Sequence, residues 1–294
     1  MTIVSYMTYV QYNGGSATMT EIASQSLDGV AETLLVTLYI RALETQRPDA
    51  LLNDQKALDL VRRMESAFDR IKGIRMDEED RVGVILRNRE IDNLTRDFLS
   101  RPAEAAVVHI GCGLDSRFER VDNGRVEWYD LDLPEVIELR RKLFGSPGPR
   151  SHLLAGSAFD VSWFAALTQH RGRPLLLIAE GVFQYFAEAQ VKSLVVALRE
   201  HFPGAELIFD AFSPFIVRAN NLRMALSKMS ARYHWGLSRG RDVEGWTPGV
   251  RLLSEWFPLS LPEPRLAKFQ WARNIPLIAK AMGVYHYRLG DAVS

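Results

Sequence analysis

Hydrophobic spacing changes character near Pro102. Before it the period is helical. In LDGVAETLLVTLYIRALET (27–45), Val30, Leu34, Leu35, Leu38 and Leu43 fall near one face. Pro48 stops that pattern, and DQKALDLVRRM (54–64) restarts it behind an Asp54 N-cap. RVGVILRNREIDNLTRDFL (81–99) predicts a third helix, with Val82, Ile85, Ile91, Leu94 and Phe98 in its apolar stripe.

After Pro102 short apolar runs alternate with amphipathic stretches. AAVVHI (105–110), VEWYDLDLP (126–134), HLLAGSAFD (152–160), PLLLIAEGVF (174–183) and AELIFDAFS (205–213) read as strands. Helices fit at 135–144, 161–169 and 187–201. This alternation predicts an α/β fold, a doubly wound, Rossmann-like parallel sheet. VRLLSEWF (250–257), a helix at 272–282 and GVYHYRLG (283–290) would complete it. The expected organisation is a single domain with several parts. Residues 1–25 are polar, carry NGGS, and form a flexible terminus. Residues 26–103 form a helical cap, 104–213 the ligand-binding core, 214–250 an aromatic and basic helical lid, and 251–294 the last strands and helix.

Composition narrows the function. Lys+Arg and Asp+Glu are 36 each, so no net charge draws the chain to nucleic acid or an anionic membrane. The single cysteine, Cys112, excludes an internal disulfide and argues against a thiolate zinc site. The six histidines lack metal-ligand spacing, and no metal is expected. No signal peptide or membrane span is legible, so a cytoplasmic protein is expected.

In a doubly wound sheet, ligands bind beyond the carboxyl ends of the strands. The first such loop is Gly111-Cys112-Gly113-Leu114-Asp115-Ser116-Arg117. Two glycines allow close backbone approach, but the third glycine of a dinucleotide fingerprint is replaced by Ser116. Asp115 adds a negative charge where a pyrophosphate would sit, so a cationic ligand without phosphate fits better. Asp132, nineteen residues after Gly113, is placed to hold ribose hydroxyls, as an acid would also be in a nicotinamide enzyme. Glu180 ends the fourth strand, where a buried carboxylate wants a cation such as a ligand ammonium. Gly156-Ser157-Ala158-Phe159 offers small and apolar groups for an adenine. These features together suit S-adenosyl-L-methionine.

The motifs VVHIGCGLDSR, WYDLDLP, LLIAEGVFQYF and FPGAELIFDAFS resemble the leucine carboxyl methyltransferase superfamily, nearest its bacterial polyketide O-methyltransferase branch. The likeness extends over roughly residues 27–260. It implies a class I methyltransferase fold with a helical N-terminal cap. It also implies that Arg87, with Arg41 as a second cation, holds the methionine carboxylate. Gly111 and Gly113 would then line the methionine portion, Asp132 with Leu133 the ribose, Glu180 the ammonium, and Ser157, Ala158 and Phe159 the adenine. Gln55 stands where the family often has proline, and Cys112 where it often has alanine.

Methyl transfer is an in-line displacement, and a base is needed only if the acceptor is not already ionised. No histidine occupies a strand-end motif, which favours a carboxylate acceptor over a phenol. Tyr185 and His234 are the catalytic candidates; Tyr185 reads more readily as a pocket wall, and His234 equally as lid packing. Asp210 reads as a loop brace or a substrate contact. Phe215, Tyr233, Trp235 and Trp246 suggest an aromatic or peptide-like acceptor, and Arg218, Arg223, Lys228 and Arg232 an anionic one. The expectation is an O-methyltransferase acting on a small molecule or peptide. A non-catalytic binder of S-adenosylmethionine or S-adenosylhomocysteine and an NAD-dependent oxidoreductase stand as alternatives.

Overall fold

The computed structural model of the chain describes residues 30–64, 77–101, 104–170, 172–226 and 232–291. The expected flexible terminus, 1–25, lies outside them.

Among the described residues, three helices come first: α1 (Val30–Thr45), α2 (Gln55–Arg63) and α3 (Glu78–Ser100). Helix α1 stops three residues before Pro48, because proline disfavours the helical region just ahead of it. Asp54 caps α2 as its sequence predicts, its side chain accepting from the Ala57 N–H at 2.9 Å. These helices share an apolar cluster that includes Leu35, Leu38, Leu58, Leu60 and Ile85.

The sheet follows: β1 (Ala106–Ile110), short α4 (Arg117–Val121), β2 (Glu127–Asp132), α5 (Pro134–Phe144), β3 (Ser151–Ala155), β4 (Leu175–Ala179), α6 (Glu188–His201), β5 (Ala205–Phe212), α7 (Pro214–Leu226), β6 (Val250–Trp256), short α8 (Pro276–Ala279) and β7 (Met282–Leu289). The strand order is β3-β2-β1-β4-β5-β7-β6. Strands β1 to β5 run parallel, and β7 lies antiparallel between β5 and β6. All five residues of β1 and of β4 are buried, as central parallel strands covered on both faces must be.

Two expected helices differ. Residues 161–170 form a tighter 3-10 coil. The helix expected at 272–282 is instead a 3-10 stretch at 264–274, kinked at Leu266, followed by one turn of α8. Pro264 and Pro276 start these pieces, and proline cannot sit inside a continuous α-helix.

The register sets the site. Ile110 pairs with Leu131 on one side and Ala179 on the other. Strands β1, β2 and β4 therefore end level. Gly111, Asp132 and Glu180 emerge together where the strand order reverses, the place such sheets bind ligands.

Candidate cofactor and acceptor site

A cavity of about 400 Å³ opens over these strand ends. Gly111 and Gly113 adopt positive φ, 64° and 51°. A Cβ on Gly113 would lie 2.7 Å from Leu34 Cδ2, and one on Gly111 would run into Val182. Both positions thus need glycine for backbone and for space.

Two aspartates on β2 have different surroundings. Asp130 is closed off: Arg140 Nε and Nη2 donate to its Oδ2 at 3.0 and 2.7 Å, and Trp128 Nε1 to its Oδ1 at 2.9 Å. The same arginine donates to the Gly113 and Asp115 carbonyls at 3.1 and 2.6 Å, so it ties β2 to the glycine loop. Asp132 lines the cavity and accepts only backbone N–H groups, from Gly113 at 2.8 Å and Leu133 at 2.7 Å. Burial pushes its carboxyl up to about 6, and those two amides counter part of the rise. A carboxylate so placed has oxygen lone pairs for the hydroxyls of a ribose.

The Glu180 end is a network of ions. Arg87 Nε donates to Glu180 Oε1 at 2.8 Å and its Nη1 to Asp210 Oδ2 at 3.0 Å. Asn88 Nδ2 reaches the same Oε1 at 2.8 Å, and Arg117 Nη2 reaches Oε2 at 2.5 Å. Arg117 and Arg120 carry the network through Asp92 and Asp115 to Asp54. Asp210 also accepts the Gly181 N–H at 2.6 Å, fixing the turn after β4. Glu180 stays below the usual carboxylate range: burial works against it, and the Arg87 and Arg117 charges outweigh burial.

Two expectations from the sequence do not hold in the structure. The cation that a buried Glu180 requires is supplied by Arg87 and Arg117, not left to a ligand. The charge of Asp115, expected to repel phosphate, is paired with Arg120 at 2.8 Å, Arg117 at 3.2 Å and Arg41 at 3.9 Å. Ser116 meanwhile donates to Asp54 at 2.6 Å, a packing contact rather than a ligand one.

Arg41 lines the cavity, with Nε on Asp54 at 2.9 Å and Nη2 on the Leu114 carbonyl at 2.7 Å. Ser157, Ala158 and Leu133 line it too. Phe159 is absent from the lining and packs on Phe186, ring centroids 4.3 Å apart. Tyr185 lines it beside Tyr233, with centroids 5.2 Å apart. His234 does not reach the cavity: its side chain is exposed, and only its backbone N–H is engaged, with the Gln184 carbonyl at 2.8 Å.

The expected lid is partly body. Trp235 and Trp246 join the main core, and the Leu237 N–H bonds the Phe212 carbonyl at 2.9 Å. Phe215 is exposed and lies off the lining, as do Arg218 and Arg232. The side chains of Arg223 and Lys228 lie outside the described residues. Sequence reasoning passed over Asn88 and Arg117. It left Asp210 open, a carboxylate near the end of buried β5, where Arg87 pairs with it. Among the described residues no cluster of metal-ligating side chains occurs and no helix is long and apolar enough to cross a membrane.

The sheet order, the antiparallel β7 and a ligand cavity at the strand reversal define a class I methyltransferase fold. Solved structures agree on the fold. A protein from Thermobifida fusca proposed to be a methyltransferase superposes with TM-score 0.51 at 15% identity, covering 85% of this chain and 94% of its own. A duf574 family protein from Streptomyces avermitilis gives 0.51 at 16%, covering 87% and 96%. The model of the leucine carboxyl methyltransferase family matches residues 34–199. The tetracenomycin polyketide synthesis O-methyltransferase TcmP of Streptomyces glaucescens is 36% identical over 80% of this chain and 86% of its own. The S-adenosyl-L-methionine-dependent methyltransferase dpfgK of Gibberella zeae is 30% identical over 84% and 88%. The chain belongs to the leucine carboxyl methyltransferase family, and so to the S-adenosyl-L-methionine-dependent methyltransferases.

Proposed function

We propose that the chain transfers a methyl group to an oxygen, a carboxylate in preference to a phenol, on a small-molecule natural product. One observation carries this reading: a single cavity joins the ionic cluster at the strand ends to an apolar, aromatic chamber. The residues at the first end fit the cofactor. An amino-acid zwitterion has the same two charges as the Arg87–Glu180 pair, so it can enter by exchanging partners without leaving either side chain unpaired. Arg87, with Arg41, would take the carboxylate, Glu180 the ammonium, Asp132 the ribose, and Ser157 and Ala158 the adenine edge. Bound there, S-adenosylmethionine supplies a methyl group on a sulfonium.

The chain's own contribution is alignment and exclusion of water. Alignment alone is worth roughly 7–11 kcal/mol in favourable cases. Phe186, Phe212 and Tyr233 wall the chamber, and Tyr185 is the group placed to orient the acceptor. Burial holds the Tyr233 hydroxyl far above its ordinary range, so it stays protonated and is no base. His109 lines the cofactor end with its pKa lowered to about 4 by burial, and is neutral at pH 7. With neither group suited to deprotonate a phenol, an acceptor already ionised at neutral pH is favoured. The polyketide role in the name of the S. glaucescens relative supports a small natural-product acceptor methylated on oxygen.

The test is calorimetric titration with S-adenosylmethionine, S-adenosylhomocysteine and NAD(H), followed by mass spectrometry of aromatic acids and phenols incubated with enzyme and cofactor. Methyl esters are expected. Methylation confined to phenols, amines or thiols overturns the carboxylate reading. Cofactor binding without turnover on any acceptor would leave a binding protein.

A further inference from the structure

Gly83 is the single glycine inside an α-helix among the described residues, and it sits in the first third of the 23-residue α3. Glycine is the poorest helix former short of proline, so its presence there needs a reason. Backbone conformation is not the reason: its φ is outside the left-handed range. Crowding inside the protein is not the reason either, since an added Cβ would meet nothing within 4 Å. The residue does line the cavity, at the centre of a helical face formed by Glu79, Asp80, Val84, Arg87 and Asn88. Its neighbours Val82 and Leu86 are fully buried against Leu266, whose segment supplies the outer apolar wall. Arg87 and Asn88, one turn on, touch Glu180, and Leu259, Leu266 and Phe269 line the same cavity as Gly83.

We infer that Gly83 sets the size of the acceptor, leaving bare helix backbone against which a flat, apolar ring of the substrate lies. This rests on the methyltransferase reading. The space that a side chain would fill is space the fold does not use, while the other walls there, Phe186, Phe212, Phe269 and Tyr185, are suited to ring faces and edges. A leucine at 83 would project into that space and shorten the chamber without touching the ion network.

The test uses the full chain with Gly83→Ala and Gly83→Leu. Thermal unfolding, titration with S-adenosylhomocysteine, and binding of benzoate and anthracene-2-carboxylate, with and without S-adenosylhomocysteine, are measured for each. Gly83→Ala is expected to raise Tm by roughly 2 °C. Both variants should keep S-adenosylhomocysteine affinity within about twofold. Gly83→Leu should weaken anthracene-2-carboxylate about ten- to a hundredfold and leave benzoate little changed. A lower Tm for Gly83→Ala would show that the fold requires the glycine and would overturn the inference. Loss of S-adenosylhomocysteine binding would assign the face to the cofactor and overturn it as well. Equal effects on the two acids, or no binding of the three-ring acid to the wild type, would also reject it. Failure of the methyltransferase reading itself shows separately, as a wild type that binds no S-adenosylhomocysteine.

Discussion

The two ends of the cavity are built on opposite principles. At the strand ends, charges are paired in advance: Arg87, Arg117 and Arg120 meet Glu180, Asp210, Asp92, Asp115 and Asp54 in one buried network. At the other end, Phe186, Phe212, Leu259, Leu266, Phe269 and Met282 present apolar surface, and a glycine withholds a side chain. The first end can select a single ligand by charge and hydrogen bonds, because any group left unpaired there costs several kcal/mol. The second selects by shape, where each extra methylene changes affinity only modestly. Strand-end residues therefore define a candidate cofactor site, while the apolar walls define an acceptor only as a class.

The contrast can be broken most sharply in the ionic half. Arg117→Met leaves Asp92, Asp115 and Glu180 short of a cation in a fully buried place. Chemical denaturation should show a loss of about 3–5 kcal/mol, with S-adenosylhomocysteine binding lost too. A loss under about 1 kcal/mol would mean that these ions do not act as a unit.

Asp132→Asn comes next. It should weaken S-adenosylhomocysteine about ten- to a hundredfold, since hydrogen bonds to a charged acceptor are lost. The pH dependence follows from its carboxyl at about 6. On the proposed role, the form that would accept ribose hydroxyls is the ionised one. Wild-type affinity should therefore rise as pH increases through about 6, and the variant should stay flat. For the unliganded fold the sign reverses. A raised folded-state pKa gives stability present at low pH that is lost as pH climbs through about 6. Calorimetry across pH reads the first effect and thermal unfolding the second.

In the apolar half the effects should be smaller. Tyr185→Ala is expected to raise acceptor KM about tenfold with cofactor affinity unchanged, and Tyr185→Phe to stay within about threefold in kcat/KM. A loss of a hundredfold or more in the phenylalanine variant would make the hydroxyl part of the chemistry. Smallest is His234→Ala, expected within about twofold in steady-state kcat/KM, because its imidazole is exposed and lies off the cavity lining.

Much of this was legible in the chain, for local reasons. Helix α2 starts at Asp54 because a carboxylate can accept a free N–H there, and β1 and β4 are apolar throughout because both their faces are covered. Gly111, Gly113, Asp132 and Glu180 follow strand ends, and in a doubly wound sheet that position alone directs them to one crevice. The misplacements were of groups whose surroundings come from distant segments. Phe159 follows a strand yet packs on Phe186, and the tryptophans of the expected lid belong to the core.

By itself, then, the sequence determined the periodicities, the caps, the glycine turns and the set of acids at strand ends, since each depends on neighbours a few residues away. Tertiary structure alone decided which acid met which arginine. Arg87 and Glu180 are ninety-three residues apart, and nothing local says that the side chains expected for a ligand's two charges hold each other. It also decided that Asp130 is sealed by Arg140 while Asp132 lines the cavity: the two lie on the same face of β2, and only the packed fold brings α5's arginine to one and the glycine loop to the other.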